Sequence, residues 1–350
     1  GVQFYKDLVD ELVNGGIETM CTLFHWNLPM WVYEKGGWHY EGISEDFAEY
    51  TEVVVKALSD KVTYWMTVNE PAGFIGNGYI AGAHAPFEKN VESWEKIGEI
   101  LPGLCKNVLL CHGKAVQTIR KHAIKAPQIG MALNGSLITP WKDTEEEIAI
   151  ARKATFTGEA TFFGIDFWAD AMVKGILNPM LVPVISEEER KEIQQPLDFF
   201  GFNCYHSFNY EELMGSNPAV YPGLPRTATD SPITPDALYW AVRFICERYG
   251  LPVLITENGM ANLDFVMSDG KVHDPQRIEF VKTYLQGLKK AVEEGFPVIG
   301  YLYWSILDNF EWDSGYDKRF GLIHVDYRTQ KRTLKDSAYW YAQVIRENGE

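Results

Sequence analysis

Hydrophobic positions along the chain switch between two patterns, the 3.6-residue period of helices and the continuous apolar runs of buried strands. Residues 2–13 put Val2, Tyr5, Leu8, Val9, Leu12 and Val13 on one helical stripe, and Asn14-Gly15-Gly16 ends it, because glycine tolerates the left-handed backbone that follows a helix. A short buried strand is predicted over 19–26 (TMCTLFHW). The unit then repeats with a helix over 44–59, opened by Ser44 with Glu45 and Asp46 in its first turn, and a strand over 62–69. Acidic residues there suit the helix dipole. Helices over 101–123, 145–172, 235–249, 274–294 and 335–346 alternate with strands over 128–134, 198–205, 252–258 and 298–306.

Strands that are apolar on both faces and separated by helices predict a parallel sheet covered on each side. Six strands occur, each followed by a helix, with no internal repeat or Gly/Ser linker between them. The polar, Pro-rich stretches 212–234 and 307–334 read as long loops on a functional face. A doubly wound sheet would carry a Gly-rich phosphate turn after an early strand, and the sequence has none. Polar and aromatic residues gather instead where strands end, at His25-Trp26, Asn69-Glu70, Asn203 to Tyr205, Glu257-Asn258 and Trp304. A parallel barrel builds its active site at those ends. The expectation is one α/β barrel domain over residues 1–350.

Composition narrows the function. The chain has 350 residues, 46% hydrophobic, with a net charge of −16, which excludes a nucleic-acid role that needs clustered Lys and Arg. Five cysteines (Cys21, Cys105, Cys111, Cys204, Cys246) are widely spaced without a CxxC pair, so neither a disulfide framework nor a zinc site is expected and a reducing, cytoplasmic compartment fits. No apolar run approaches a membrane span and no signal peptide is visible. Because the chain opens with Gly1, it is not expected to start where the gene starts.

Glu70 and Glu257 each follow an apolar strand directly, preceded by Asn69 and Thr256. A carboxylate there is costly unless solvated, paired or in use. One such Glu reads equally well as half of a structural ion pair; two, flanked by aromatics, point to glycosidic cleavage, which needs two carboxyl groups across the bond. A gap of about 5 Å allows direct attack and retention, and about 6.5–9.5 Å admits a water and inverts.

Thr67-Val68-Asn69-Glu70-Pro71 and Ile255-Thr256-Glu257-Asn258-Gly259 resemble the two signature motifs of glycoside hydrolase family 1, the β-glucosidase family. HWNLP (25–29), GFNCY (201–205), YWSILDNFEW (303–312) and KRFGLIHVDY (318–327) extend the resemblance in the family's order over essentially the whole chain. It implies a (β/α)8 TIM barrel and a retaining mechanism, with Glu70 as general acid and base and Glu257 as nucleophile. It further implies that Asn69 binds the sugar 2-hydroxyl and that Tyr205, beside Asn203, supports the nucleophile. His25, Trp304, Glu311 and Trp312 would hold the remaining hydroxyls and the sugar face, Phe320 would line the far wall, and Trp26 joins them as a substrate contact. A bidentate carboxylate suits vicinal hydroxyls and an indole suits the apolar face of a pyranose. No metal or organic cofactor is needed, since side chains supply proton and nucleophile.

The resemblance begins at the helix after the second barrel strand, so strands three to eight are expected here and the first two βα units are expected to be lacking. On those the family carries a glutamine that grips the sugar and an arginine near the nucleophile. On the order of 60–100 residues would be involved, and a separate N-terminal segment completing the barrel is an expected partner. Ala72 stands where many relatives carry Trp. The expected substrate is a β-linked glucoside or galactoside, unphosphorylated because Glu311 would repel a phosphate. An inert sugar-binding barrel fragment and a 6-phospho-β-glycosidase are the alternatives. His112 and His122, in helical text, read as structural, and the sequon Asn134-Gly135-Ser136 as chance.

Overall fold

The computed structural model describes residues 1–209 and 223–347; residues 212–222 of the expected loop 212–234 lie outside them. The chain forms two compact units, one of Gly1–Gly135 with Phe156–Gly201 and the other of Ser136–Thr155 with Phe202–Glu350. It is an α/β fold whose main strands are parallel and alternate with helices, with a short antiparallel pair, Ile323–Val325 and Arg332–Leu334, near the C-terminal end.

In the first unit β1 (Met20–Phe24), β2 (Tyr64–Asn69) and β3 (Gln128–Leu133) run parallel in that order, Met20 opposite Tyr64 and Tyr64 opposite Gln128. Trp65, Val68, Ile129 and Met131 are buried on both faces, as the unbroken apolar runs require. Asp198 N donates to Ile129 O (2.8 Å), ahead of β4 (Phe200–Asn203). The pairing of β2 with β3 shifts register between Met66 and Asn69, a local irregularity of the kind that re-aims side chains next to active sites.

Helix α1 (Val2–Asn14) forms as predicted, but Val9 is its only buried residue; Val2, Tyr5, Leu8 and Val13 of the predicted stripe are exposed. Helix α2 (Ile43–Leu58) buries Ile43, Phe47, Thr51, Val55 and Leu58, a stripe at helical spacing. Helix α3 (Trp94–His122) starts seven residues before the predicted boundary, because Ser93 Oγ accepts from Lys96 N (3.1 Å) and caps it there. The helix Glu187–Ile193 was not predicted, although Ser186 and Glu189 form a capping box, a signal readable in the sequence.

The second unit contains α4 (Glu145–Thr155), α5 (Ala237–Tyr249), β5 (Val253–Asn258), α6 (Pro275–Glu293), β6 (Val298–Tyr303) and α7 (Asp336–Arg346). Strands β5 and β6 are parallel, with a register shift between Ile255 and Asn258. Every residue of β5 is buried. On β6, however, no residue is buried, and Ile299 (48%) and Leu302 (36%) are exposed; among the described residues β6 pairs with β5 alone. The predicted helix 145–172 stops at Thr155, whose Oγ1 takes up the backbone of Ile138 on both sides. Gly158 and Gly164 then pack too closely for helix, a Cβ on Gly158 falling 2.3 Å from Phe167 N, and helix resumes only at Ile165–Ala169.

Two glycines of α3 make a stability test. A Cβ on Gly113 would lie 2.1 Å from the Glu192 backbone oxygen, whereas one on Gly103 meets nothing within 4 Å. Gly113→Ala is expected to destabilise the protein by about 1–3 kcal/mol, as overpacking does. Gly103→Ala should stabilise it by about 0.5–1 kcal/mol through the unfolded chain. Urea unfolding of both variants checks the pair of signs.

Candidate active site

In the first unit, His25, Trp26, Asn69 and Glu70 come together at the ends of β1 and β2. Trp26 Nε1 donates to Asn69 O (3.0 Å), and Asn69 Nδ2 donates to His25 Nε2 (3.4 Å). Burial pushes the His25 imidazole down to about 4, so the ring is neutral near pH 7 and an accepting Nε2 leaves its proton on Nδ1. Glu70 N donates to Ala132 O (2.8 Å), and Asn134 Nδ2 donates to Glu70 Oε2 (3.1 Å). Gly73 makes room for both neighbours: a Cβ there would sit 2.8 Å from the Trp26 ring and 3.3 Å from Glu70 Oε2. The His84 ring lies against Trp26, centroids 5.4 Å apart.

In the second unit, Asn203, Tyr205, Glu257 and Phe320 form one cluster. Glu257 is 8% exposed at the end of β5. Tyr205 Oη donates to its Oε2 at 2.6 Å, and its backbone oxygen accepts from Cys204 N (2.8 Å). Thr256 Oγ1 donates to Asn203 Oδ1, and Asn258 Nδ2 to Cys204 O (2.7 Å). The Phe320 ring stands edge-on to Tyr205 at 6.1 Å. Trp304 N donates to Asn258 O (2.9 Å), an approach that only glycine at 259 permits, since a Cβ there would fall 2.0 Å from Trp304 O. Burial raises the Glu311 carboxyl to about 7, against a hydrogen bond from Trp304 that lowers it, with Asp313 adding to the rise. Trp312 begins the short turn Trp312–Ser314 beside it.

Six non-glycine residues among those described have positive φ, and three of them, Trp26 (74°), Glu70 (44°) and Trp312 (42°), belong to these clusters. Such conformations are costly for side chains of this size and concentrate at functional sites.

The glycosyl hydrolase family 1 model matches residues 1–350. The chain is 37% identical to β-glucosidase A of Thermotoga maritima and 35% identical to a 1,4-β-D-glucan glucohydrolase of Thermotoga neapolitana, each match covering 100% of this chain and 78% of the relative. A solved structure of the T. maritima β-glucosidase in complex with glucoimidazole matches with a TM-score of 0.85 at 35% identity, over 100% of this chain and 78% of that one. The chain belongs to glycosyl hydrolase family 1.

Three features of this family 1 chain escaped the sequence reading. Asn134 reads in the sequence only as part of a sequon, though it directly follows β3, the same kind of position that singles out Glu70. His84 lies in loop text without periodicity, and no signal marks it. The third is a buried chain of alternating charges in the second unit, Asp274–Arg277–Asp264–Lys335–Asp308–Arg319. Arg277 bridges Asp274 and Asp264, Lys335 bridges Asp264 (2.6 Å) and Asp308 (2.8 Å), and Arg319 meets Asp308 at 2.6 Å. Burial alone would raise the Asp264 carboxyl, but Arg277 and Lys335 outweigh it and hold it low. Asp308 also accepts from Gly321 N (3.0 Å) and Val325 N (3.3 Å), while Arg277 donates to Arg319 O (2.8 Å). The backbone on both sides of Phe320 is thereby fixed.

His112 is fully buried, its Nδ1 2.7 Å from Thr67 Oγ1, and burial pushes it down to about 3; a neutral core histidine is the reading this supports. No helix among the described residues is long and apolar enough to cross a membrane.

Glu311 gives a pH test. Its folded carboxyl titrates near 7 against an ordinary 4.5, so between those values the folded chain holds a proton that the unfolded chain has released, and stability falls as pH rises. Above 7 the contribution is flat. The melting temperature of Glu311→Gln minus that of the parent should therefore grow from pH 4.5 to 7 and then level off. A difference that is constant over pH 4–8 contradicts the assignment.

Proposed function

We propose that this family 1 chain is a β-glucosidase-type enzyme that hydrolyses β-linked, unphosphorylated glucosides or galactosides with retention. The observation that carries the reading is the 2.6 Å hydrogen bond from Tyr205 Oη to a Glu257 carboxyl group that is 8% exposed. A short bond of that kind favours an ionised acceptor, the state a nucleophile needs. The Thermotoga relatives, a β-glucosidase and a 1,4-β-D-glucan glucohydrolase, and the glucoimidazole complex of the former support the substrate class.

In the proposed sequence a Glu257 oxygen bonds to the anomeric carbon as the glycosidic C–O bond breaks, and Glu70 gives its proton to the departing oxygen. Water then replaces Glu257 at the same carbon, passing a proton back to Glu70. Asn69 would hold the 2-hydroxyl, Asn203 and Tyr205 would support the nucleophile, and His25, Trp26, Trp304, Glu311, Trp312 and Phe320 would hold the rest of the ring. Glu311 is suited to a pair of vicinal hydroxyls once ionised, and its negative charge disfavours a 6-phosphate.

We also read β1–β6 as parallel strands of a (β/α)8 barrel forming one catalytic domain, a reading that the likeness to the T. maritima β-glucosidase structure supports. A cytoplasmic location is proposed from the five free cysteines.

Hydrolysis of an aryl β-glucoside tests the function, with Glu257→Ala as control. The parent should turn over at least about 10³-fold faster than the variant, and proton NMR should show the β-anomer first. Tyr205→Phe should move the acid limb of kcat/KM to higher pH, because a carboxylate that loses a donor protonates more readily. Turnover equal to that of Glu257→Ala, or the α-anomer first, contradicts the reading.

A further inference from the structure

Asn134 directly follows β3, and its Nδ2 donates to Glu70 Oε2 at 3.1 Å. We propose that Asn134 is a positioning residue that decides which oxygen of Glu70 carries the catalytic proton; this rests on the acid and base reading of Glu70 above. An amide nitrogen donates and does not accept, so Oε2 is held as an acceptor in both protonation states. A carbonyl oxygen accepts better than a hydroxyl oxygen, so the contact favours the proton of neutral Glu70 on Oε1, the oxygen that the proposal assigns to the leaving group.

The surroundings fix this arrangement from three sides. Glu70 N is tied to Ala132 O, two residues before Asn134, so one strand end holds both the backbone and the carboxyl group of Glu70. Gly73 and the Trp26 ring wall the carboxyl, with space at Gly73 for no side chain. Gly135 packs against Ile165, where a Cβ would fall 2.5 Å from Ile165 Cγ1, and this anchors the backbone next to Asn134. The nitrogen that a glycan would occupy in Asn134-Gly135-Ser136 is the one used on Glu70.

In the first step the Oε1–H bond breaks and the proton joins the glycosidic oxygen, which keeps the electron pair of the broken C–O bond. The negative charge left on Glu70 spreads to Oε2, where the Asn134 N–H already points. The contact thus strengthens as the proton leaves, which lowers the barrier to giving it up. In the second step Oε1 takes a proton from the water whose oxygen bonds to the anomeric carbon, as the ester bond from that carbon to Glu257 breaks and Glu257 leaves as a carboxylate.

The test compares kcat/KM over pH for Asn134→Ala and Asn134→Asp with two substrates. A dinitrophenyl β-glucoside departs without protonation, whereas an alkyl β-glucoside requires it. The ratio of the first rate to the second should rise at least about tenfold in Asn134→Ala, within the range general acid catalysis supplies. The alkaline limb for the alkyl glucoside should move to higher pH in both variants and further in Asn134→Asp, where a second carboxylate opposes ionisation of Glu70. Asn134→Ser, which keeps a donor, should partly restore the ratio and serves if the alanine variant folds poorly. A purely structural role would lower both rates together and leave the limb in place, and that result overturns the inference. Glu70→Ala separates the two readings: if it leaves the ratio unchanged, the assignment of Glu70 is what has failed.

Discussion

A carboxyl group buried at the end of an apolar strand is the constraint that the rest of the molecule answers to. An unpaired charge in such a position costs several kcal/mol, and Glu257 sits at the end of a strand with every residue buried. Its compensation reaches well beyond one contact. Tyr205 donates to Glu257, Tyr284 Oη donates to the Tyr205 backbone oxygen (3.0 Å), and Thr234 N donates to Tyr284 Oη (2.8 Å). Thr256 and Asn258, on either side, are bonded to Asn203 and Cys204. The strand end is thus held as a set of matched polar groups, which gives a buried carboxyl group the partners that apolar packing would deny it.

The alternating charges around Lys335 answer the same constraint on the loop that follows β6. Three acids and three bases in a row sum to zero, so the chain can be buried as a whole although no member could be buried alone. Removing any one partner leaves its neighbours uncompensated. The order this imposes falls on residues 307–325, which carry Glu311, Trp312 and Phe320. Asp308 does the most, accepting from Lys335, Arg319 and two backbone amides.

Much of this was readable in the sequence, and the exceptions have physical causes. Each of the six predicted strands is found, because strands of a parallel sheet write themselves as unbroken apolar runs, even β6, none of whose residues is buried. Glu70 and Glu257 stood out because a carboxylate directly after such a run contradicts its surroundings. The helix expected over 145–172 failed because its periodicity says nothing about Gly158 and Gly164 being needed for close backbone contact. The stripe of α1 was right as a pattern, yet periodicity does not say what covers it. The charge chain was invisible for another reason: Asp264, Asp274, Arg277, Asp308, Arg319 and Lys335 are spread over 72 positions and look like ordinary surface charges until the fold assembles them. Asn134 is the instructive omission, since its place at a strand end was evident and its residue type suggested only a sequon.

Glu257 as the atom-bonding nucleophile is the claim on which the account stands, and a trapped intermediate tests it most directly. A 2-deoxy-2-fluoro-β-glucoside with a dinitrophenyl leaving group forms the glycosyl-enzyme but releases it slowly, because the fluorine destabilises the oxocarbenium-like transition states of both steps while the good leaving group relieves only the first. Peptide mass mapping after incubation should find one fluoroglucosyl group, bound as an ester to Glu257. Label on another carboxylate, such as Glu70 or Glu311, or continued turnover with no label at all, would contradict it.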